Sequence, residues 1–270
     1  MDKKEFEALV NARMINEVGF VDFYMQNPSE MEKLTVKDLA NIGTLSQPQA
    51  NNFIIENGAA SADGMSTEEF FVLLEKGGNI KLLNDIILDA QYASIKTNVN
   101  LDLNGHKIIA KTRNTADQTV SYGLVVFTGA ELVIDGEGEI ICEPAYYSTP
   151  VWAYGGKITI NNGVYKNAGK GSDLIYASKT GEIIINNGEF IACKNQFIEP
   201  GTQNEYTALN KLDADRNNCD IIVRGGRFYK FDPSNNLSEG PNTNFVDDGY
   251  IVVQKGDYYE VVKDEIVVEE

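Results

Sequence analysis

The chain has 270 residues, 43% of them apolar, with a formal charge of -17 and a pI near 4.5. That length and apolar content suffice for a sizeable core, which excludes a wholly disordered chain. The acidic excess repels nucleic-acid phosphate and anionic lipid, and no apolar run reaches the roughly eighteen residues of a membrane span, so neither partner is expected.

The opening MDKKEFEALV lacks the apolar stretch of a secretory leader, so synthesis in a cytoplasm without a signal peptide is expected. Phe6, Leu9, Val10, Met14 and Val18 then recur at helical spacing, predicting a helix over residues 3–18 that stops at Gly19. Phe20, Phe23, Tyr24 and Met25 follow in a segment richly aromatic for a loop, and with Phe6 they are candidates for docking against a partner. Two short helices are expected after Thr35 and from Ser46, where Ser as N-cap and a proline two residues on lead into QANNFIIEN. LTVKDLANIGTLSQPQANNFI has the outline of a helix-turn-helix, but its second helix carries no Lys or Arg. Residues 1–70 hold twelve acids against five bases, which argues against DNA binding. Residues 1–64 are therefore read as a helical attachment or oligomerisation region.

STEEFFVLLEKGG comes next, with Ser66 and Glu69 in capping-box spacing and Gly77 at the stop, predicting an amphipathic helix. From residue 80 the pattern changes to short β-branched runs, each followed by a tight polar turn. Aligned on the apolar residue before each turn, they give Leu103 (LDLNG), Ile134 (LVIDG), Ile160 (ITINNGVY), Ile185 (IIINNGEF) and Val223 (IIVRGGRF), at intervals of 31, 26, 25 and 38 residues. A period of that size, without the signatures of propeller blades or leucine-rich repeats, predicts circuits of two or three short strands. Each strand would pair with its equivalent one circuit on, stacking Ile160 with Ile185 and Val223, and Tyr165 with Phe190 and Phe228. In the turns, asparagine tolerates left-handed backbone and can bond the asparagine of the next circuit, while glycine supplies a positive φ. GYIVVQKGDYYEVVKD reads as a hairpin turning at Lys255, Gly256 and Asp257, and DEIVVEE as a last acidic strand.

LDLNG, INNGVY, INNGEF and VRGGRF resemble the turns of the right-handed parallel β-helix proteins, the pectate-lyase-like superfamily, over about residues 78–240. The implied fold is mainly β: a right-handed parallel β-helix with its capping helix over 65–240, a helical N-terminal region, and a short β-hairpin cap over 241–270. That superfamily includes polysaccharide lyases, glycoside hydrolases, adhesins and viral fibres, so its fold alone assigns no activity. The layout is similar to that of virion surface proteins of tailed bacteriophages. That similarity implies an N-terminal region attached to capsid or tail proteins, a location on the virion surface, a homotrimer, and a β-helix that contacts host glycans.

Candidate sites are sparse. Lyases of the superfamily hold Ca²⁺ with several carboxylates and use an arginine base, and its hydrolases cluster aspartates; neither pattern is evident on neighbouring circuits. The interval of 38 residues holds an insertion, EPGTQNEYTALNKLDADRNN, in which Asp213, Asp215 and Arg216 are the catalytic candidates should the chain be a lyase or hydrolase. Trp152 with Tyr146 and Tyr147, and Tyr206 in the insertion, are candidates for stacking on sugars. His106, the one histidine, reads as a surface turn residue. Three cysteines (Cys142, Cys193, Cys219), odd in number and without CxxC spacing, read as reduced core residues. No metal or cofactor is expected. The expectation is a non-enzymatic virion protein of head-fibre or decoration type, the alternative a glycan depolymerase.

Overall fold

In the computed structural model, which describes Ser29 and residues 65–264 apart from 90, 172, 203 and 204, a reciprocal cap starts the helix at residue 67. The Glu69 amide donates to Ser66 Oγ at 3.1 Å and the Ser66 amide to Glu69 Oε2 at 2.7 Å, as the spacing predicts. Helix α1 (Thr67–Lys76) buries Phe70 and Leu74 and ends where Gly77 takes a φ of 79°. Thr97 Oγ1 donates to the Leu74 carbonyl at 2.7 Å, satisfying an acceptor that the helix end leaves open. The chain divides into two units, Met1–Glu69 and Phe70–Glu270, and among the described residues every strand belongs to the second. The helices expected within residues 1–64, the docking candidates Phe6, Phe20, Phe23, Tyr24 and Met25, and the last strand expected at 265–270 lie outside the described residues.

The remainder is mainly β and largely parallel. The first sheet runs β1 (Gly78–Lys81), β4 (Val99–Asp102), β8 (Glu131–Asp135), β11 (Lys157–Ile160), β14 (Glu182–Ile185) and β17 (Asp220–Val223), all parallel. The second runs β2 (Ile86–Leu88), β5 (Lys107–Ala110), β9 (Glu139–Cys142), β12 (Val164–Lys166), β15 (Glu189–Ile191) and β18 (Gly226–Tyr229). The third runs β3 (Ala93–Ile95), β7 (Thr119–Phe127), β10 (Tyr147–Tyr154), β13 (Ile175–Ser178) and β16 (Leu209–Lys211), with β6 (Arg113–Asn114) antiparallel on β7. On each complete pass the chain visits the three sheets in the same order, and their strands pair with their equivalents from the pass before; the last pass ends after the second sheet.

That register builds the core. Leu101, Ile134, Ile160, Ile185 and Val223 are successive partners in the first sheet, each at most 1% exposed. The alignment on Leu103 is therefore wrong by two residues: Leu101 pairs with Ile134, and Leu103 lies beyond the strand, still buried, just before the Asn104 corner at a φ of 48°. In the second sheet Ile140, Tyr165, Phe190 and Phe228 are partners. Tyr165 and Phe190 stack at 5.1 Å with planes 6° apart, and Phe190 and Phe228 at 4.6 Å with planes 12° apart.

The corner between these sheets contains the repeated INNG. Asn186 Nδ2 donates to Asn161 Oδ1 at 2.9 Å, one pass apart, so the asparagine ladder forms. Left-handed backbone falls on Gly163, Gly188 and Gly226 (φ 108°, 131° and 96°), while the INNG asparagines keep negative φ. Glycine reaches such large positive φ without strain because it has no Cβ to clash. At VRGG the ladder ends: Arg224 replaces asparagine and its Nε donates to Asp247 Oδ2 at 2.7 Å.

At the far end β19 (Tyr250–Lys255) and β20 (Tyr258–Lys263) form the expected hairpin, and β20 lies antiparallel on β18, covering the edge of the second sheet. Gly256, with a φ of 64°, takes the first central position of its two-residue turn. The expected insertion is not one loop. It contains β16, the third-sheet strand of its own pass, and the extra residues divide between the 192–208 connection before that strand and the 212–219 connection after it. All three cysteines are free: Cys142 and Cys219 are buried, whereas Cys193 is half-buried and accepts a hydrogen bond from the Gly169 amide at 3.1 Å. Burial pushes the Cys142 thiol up to about 12.

Phe190 is fully buried between two stacked rings. Phe190→Ala is expected to cost about 3–5 kcal/mol in urea unfolding, through lost transfer energy plus the cavity left between Tyr165 and Phe228. A loss below about 1 kcal/mol would contradict the stack.

Candidate functional site

The third sheet alternates apolar residues inward with larger side chains outward. Val151, Ala153, Ile175 and Ala177 are buried, so Trp152 and Tyr176, which are register partners, project from the opposite face together with Tyr154. β7 and β10 depart from strict pairing at Gly123 and Pro150, whose carbonyl oxygen would lie 2.3 Å from any Cβ at residue 123. Only glycine admits that approach, and the preceding Tyr122 is carried to within 5.6 Å of the Trp152 ring.

An aromatic row results. Tyr92 meets Tyr122 at 6.5 Å, Tyr122 meets Trp152 at 5.6 Å, and Trp152 meets both Tyr176 at 5.6 Å and Tyr154 at 5.3 Å. Tyr154 in turn meets Phe127 at 5.4 Å. Trp152, the chain's one tryptophan, is fixed by donation from Nε1 to Ser178 Oγ at 2.9 Å. Cations lie over the rings at the rim: Lys179 Nζ is 4.0 Å from the Tyr154 centroid, the Arg113 guanidinium 5.4 Å from Tyr92 and Lys96 Nζ 5.7 Å from Phe127.

Beside this row is a cleft of about 480 Å³ bounded by Tyr122, Tyr147, Trp152, Tyr154 and Tyr176, with Asp173, Lys179 and Asp215 among its polar groups. Asp173 keeps part of its surface on the cleft, yet enough protein surrounds it that burial pushes its carboxyl up to about 6. A hydrogen bond with Asn210 opposes that rise, and the charges of Glu239 and Asp213 add to it. Tyr176 is held well above the usual phenol range by burial and then by Asp173, Asp213, Glu239 and Asp215. This end of the cleft is thus poorly solvated and electrically negative.

The residues expected to catalyse are largely committed to holding the chain. Arg216 Nη2 donates to Asp213 Oδ1 at 2.6 Å and Nη1 to the Glu239 carbonyl at 2.9 Å. The Lys179 amide donates to Asp215 Oδ2 at 2.6 Å. Glu239 Oε1 accepts from the Lys211 amide at 2.6 Å, its Oε2 is 3.7 Å from Arg216 Nε, and burial raises its carboxyl. Among the described residues no group of three His, Cys, Asp or Glu side chains is arranged to hold a metal ion.

Of the sugar-stacking candidates, Trp152 is central to the row and Tyr147 lines the cleft. Tyr146 packs on Tyr147 at 4.9 Å and on the exposed Phe197 at 5.2 Å. Tyr206 belongs to another cluster, 5.8 Å from Tyr229 with Lys230 Nζ 5.4 Å from its centroid. His106 follows a turn, half-buried, with Nδ1 3.7 Å from Asp85 Oδ1. Sequence reasoning missed Tyr122, Tyr176 and Asp173. The signal was available in TVSYGLVVF and DLIYAS, the third-sheet segments that follow their respective turns, but the alignment followed first-sheet turns only.

Compared with protein-family models, with curated proteins and with solved structures, the chain finds no match.

Because the folded state raises Asp173 above its ordinary value of 3.8, it binds that proton more tightly than the unfolded chain does. Stability conferred by the protonated form is therefore present below pH ~4 and lost as pH rises through ~6. Asp173→Asn, which cannot ionise, is expected to stabilise the protein by about 1–3 kcal/mol at pH 7 and to leave it unchanged near pH 4. Equal effects at both pH values in denaturant titrations would contradict the buried-acid reading.

Proposed function

We propose that the three sheets form a right-handed parallel β-helix of the pectate-lyase-like kind, and that the chain is a bacteriophage virion structural protein of head-fibre, decoration or tail-fibre type. The fold reading rests on equivalent strands pairing pass after pass, and on the near-universal right-handedness of connections between parallel strands of one sheet. In this reading residues 1–64 attach to a capsid or tail protein, the projecting β-helix assembles as a homotrimer, and its aromatic cleft binds a host surface glycan. The observation that carries it is the row Tyr92, Tyr122, Trp152 and Tyr176 beside a cleft. Sugars present C–H faces that stack on such rings, and their hydroxyls need the polar groups found here at the cleft wall.

A second reading, a polysaccharide lyase or glycoside hydrolase, draws on Asp173 and Asp215 sharing that cleft. Against it, Asp213 and Arg216 are bound to each other and Asp215 is bound to the Lys179 amide. The reading as a binding protein therefore takes precedence.

Binding to arrayed bacterial surface glycans tests both. Trp152→Ala is expected to weaken binding at least about tenfold, as loss of one stacking platform does, with Tyr206→Ala near wild type. No new reducing ends or unsaturated products are expected. Unimpaired binding by Trp152→Ala would overturn the cleft, and product release lost in Asp173→Asn would overturn the non-enzymatic reading. Removing residues 1–64 is expected to spare glycan binding and abolish incorporation into particles; incorporation of the shortened chain would overturn the attachment role.

A further inference from the structure

Within the reading of this cleft as a glycan site, on which the inference rests, the class of sugar follows from charge. We propose that the cleft selects saccharides bearing a free ammonium, that is, unacetylated amino sugars, with the sugar face on Trp152 and Tyr176 and the ammonium on the Asp173 carboxylate. Three observations converge on that chemistry.

First, the groups acting on Asp173 are a neutral amide and two further acids, Asn210, Glu239 and Asp213, and among the described residues no lysine or arginine forms a salt bridge with it. A carboxylate placed among aromatic rings without a cation is costly to ionise, and a cationic ligand is what reverses that cost. Second, the cations nearby are engaged: Lys179 lies over Tyr154, and Arg216 is held by Asp213 and the Glu239 carbonyl. Third, the ring faces carry the negative part of the aromatic quadrupole, so Tyr122, Trp152 and Tyr176 attract the same ammonium that Asp173 pairs with. A uronate or phosphorylated sugar would bring its charge toward Asp173 and Asp215 in the cleft wall, where Lys179 is the one cation among the described lining residues, Arg216 being taken up by Asp213 and Glu239.

Calorimetry of the full chain at pH 7 and physiological salt tests this with three oligosaccharides of equal length: glucosamine, N-acetylglucosamine and galacturonate. The glucosamine oligomer is expected to bind at least about tenfold more tightly than its acetylated form, the scale of one desolvated charge pair with a cation–π contact. Galacturonate is expected to bind most weakly. Asp173→Asn, which preserves shape, is expected to erase the preference for glucosamine over its acetylated form.

If Asp173→Asn keeps the preference, the attraction belongs to the overall charge of -17 and the inference is overturned. Equal binding of both forms, or tighter binding of galacturonate, overturns it too while leaving the glycan reading intact. Failure of that reading has a different signature: no saccharide binds, on the array or in the calorimeter, and Trp152→Ala changes nothing.

Discussion

Parallel pairing of each strand with its equivalent one pass later is the constraint on which everything else depends. Pairing at one register puts identical faces in line, so a single inward position becomes a continuous stack: isoleucines in the first sheet and aromatic rings in the second. It also lines up what points outward. Trp152 lies beside Tyr176 because their strands are neighbours in the third sheet, and for that reason a platform wider than one residue exists at all. A shift of one residue would exchange the faces and turn the aromatic row into the core.

The corners explain what could be read from the sequence. Between the first and second sheets the chain turns in three residues at 161–163 and again at 186–188, and a glycine with positive φ closes each. So little room forces the same residue types each time, and the repeat shows in the letters. The capping box at Ser66 and Glu69 was legible for a similar reason, because a local hydrogen-bond pair determines the residues. Connections into the third sheet obey no such rule: residues 167–174 do on one pass what 192–208 do on the next. Variable length conceals the period there, which is why β16 was taken for part of a loop and why Tyr122 and Tyr176 went unrecognised. Trp152 and Tyr147 were recognisable by composition alone, whereas Asp173 depends on neighbours distant in sequence, Asn210 and Glu239 among them.

Charge is divided unevenly over the molecule. On the outer face of the second sheet bases meet acids on neighbouring passes, with Lys107 and Lys166 both at Glu139, and Arg227 at Glu189. Such exposed pairs contribute little stability individually, but they keep neighbouring like charges from repelling along a stacked register. Acids beside aromatic rings set the cleft apart from the ion-paired outer face of the second sheet.

Cross-linking reads the register directly. In a chain whose native cysteines are replaced by alanine, cysteines introduced at Thr159 and Ile184 occupy partnered positions on adjacent strands, with Cα atoms about 4.8 Å apart and within disulfide reach. Thr159 and Ile222 lie two strands apart, at about twice that distance and beyond it. Mild oxidation is predicted to link the first pair within one chain and leave the second unlinked. An unlinked first pair, or equal linking in both, would contradict the stacked register and the aromatic platform built on it.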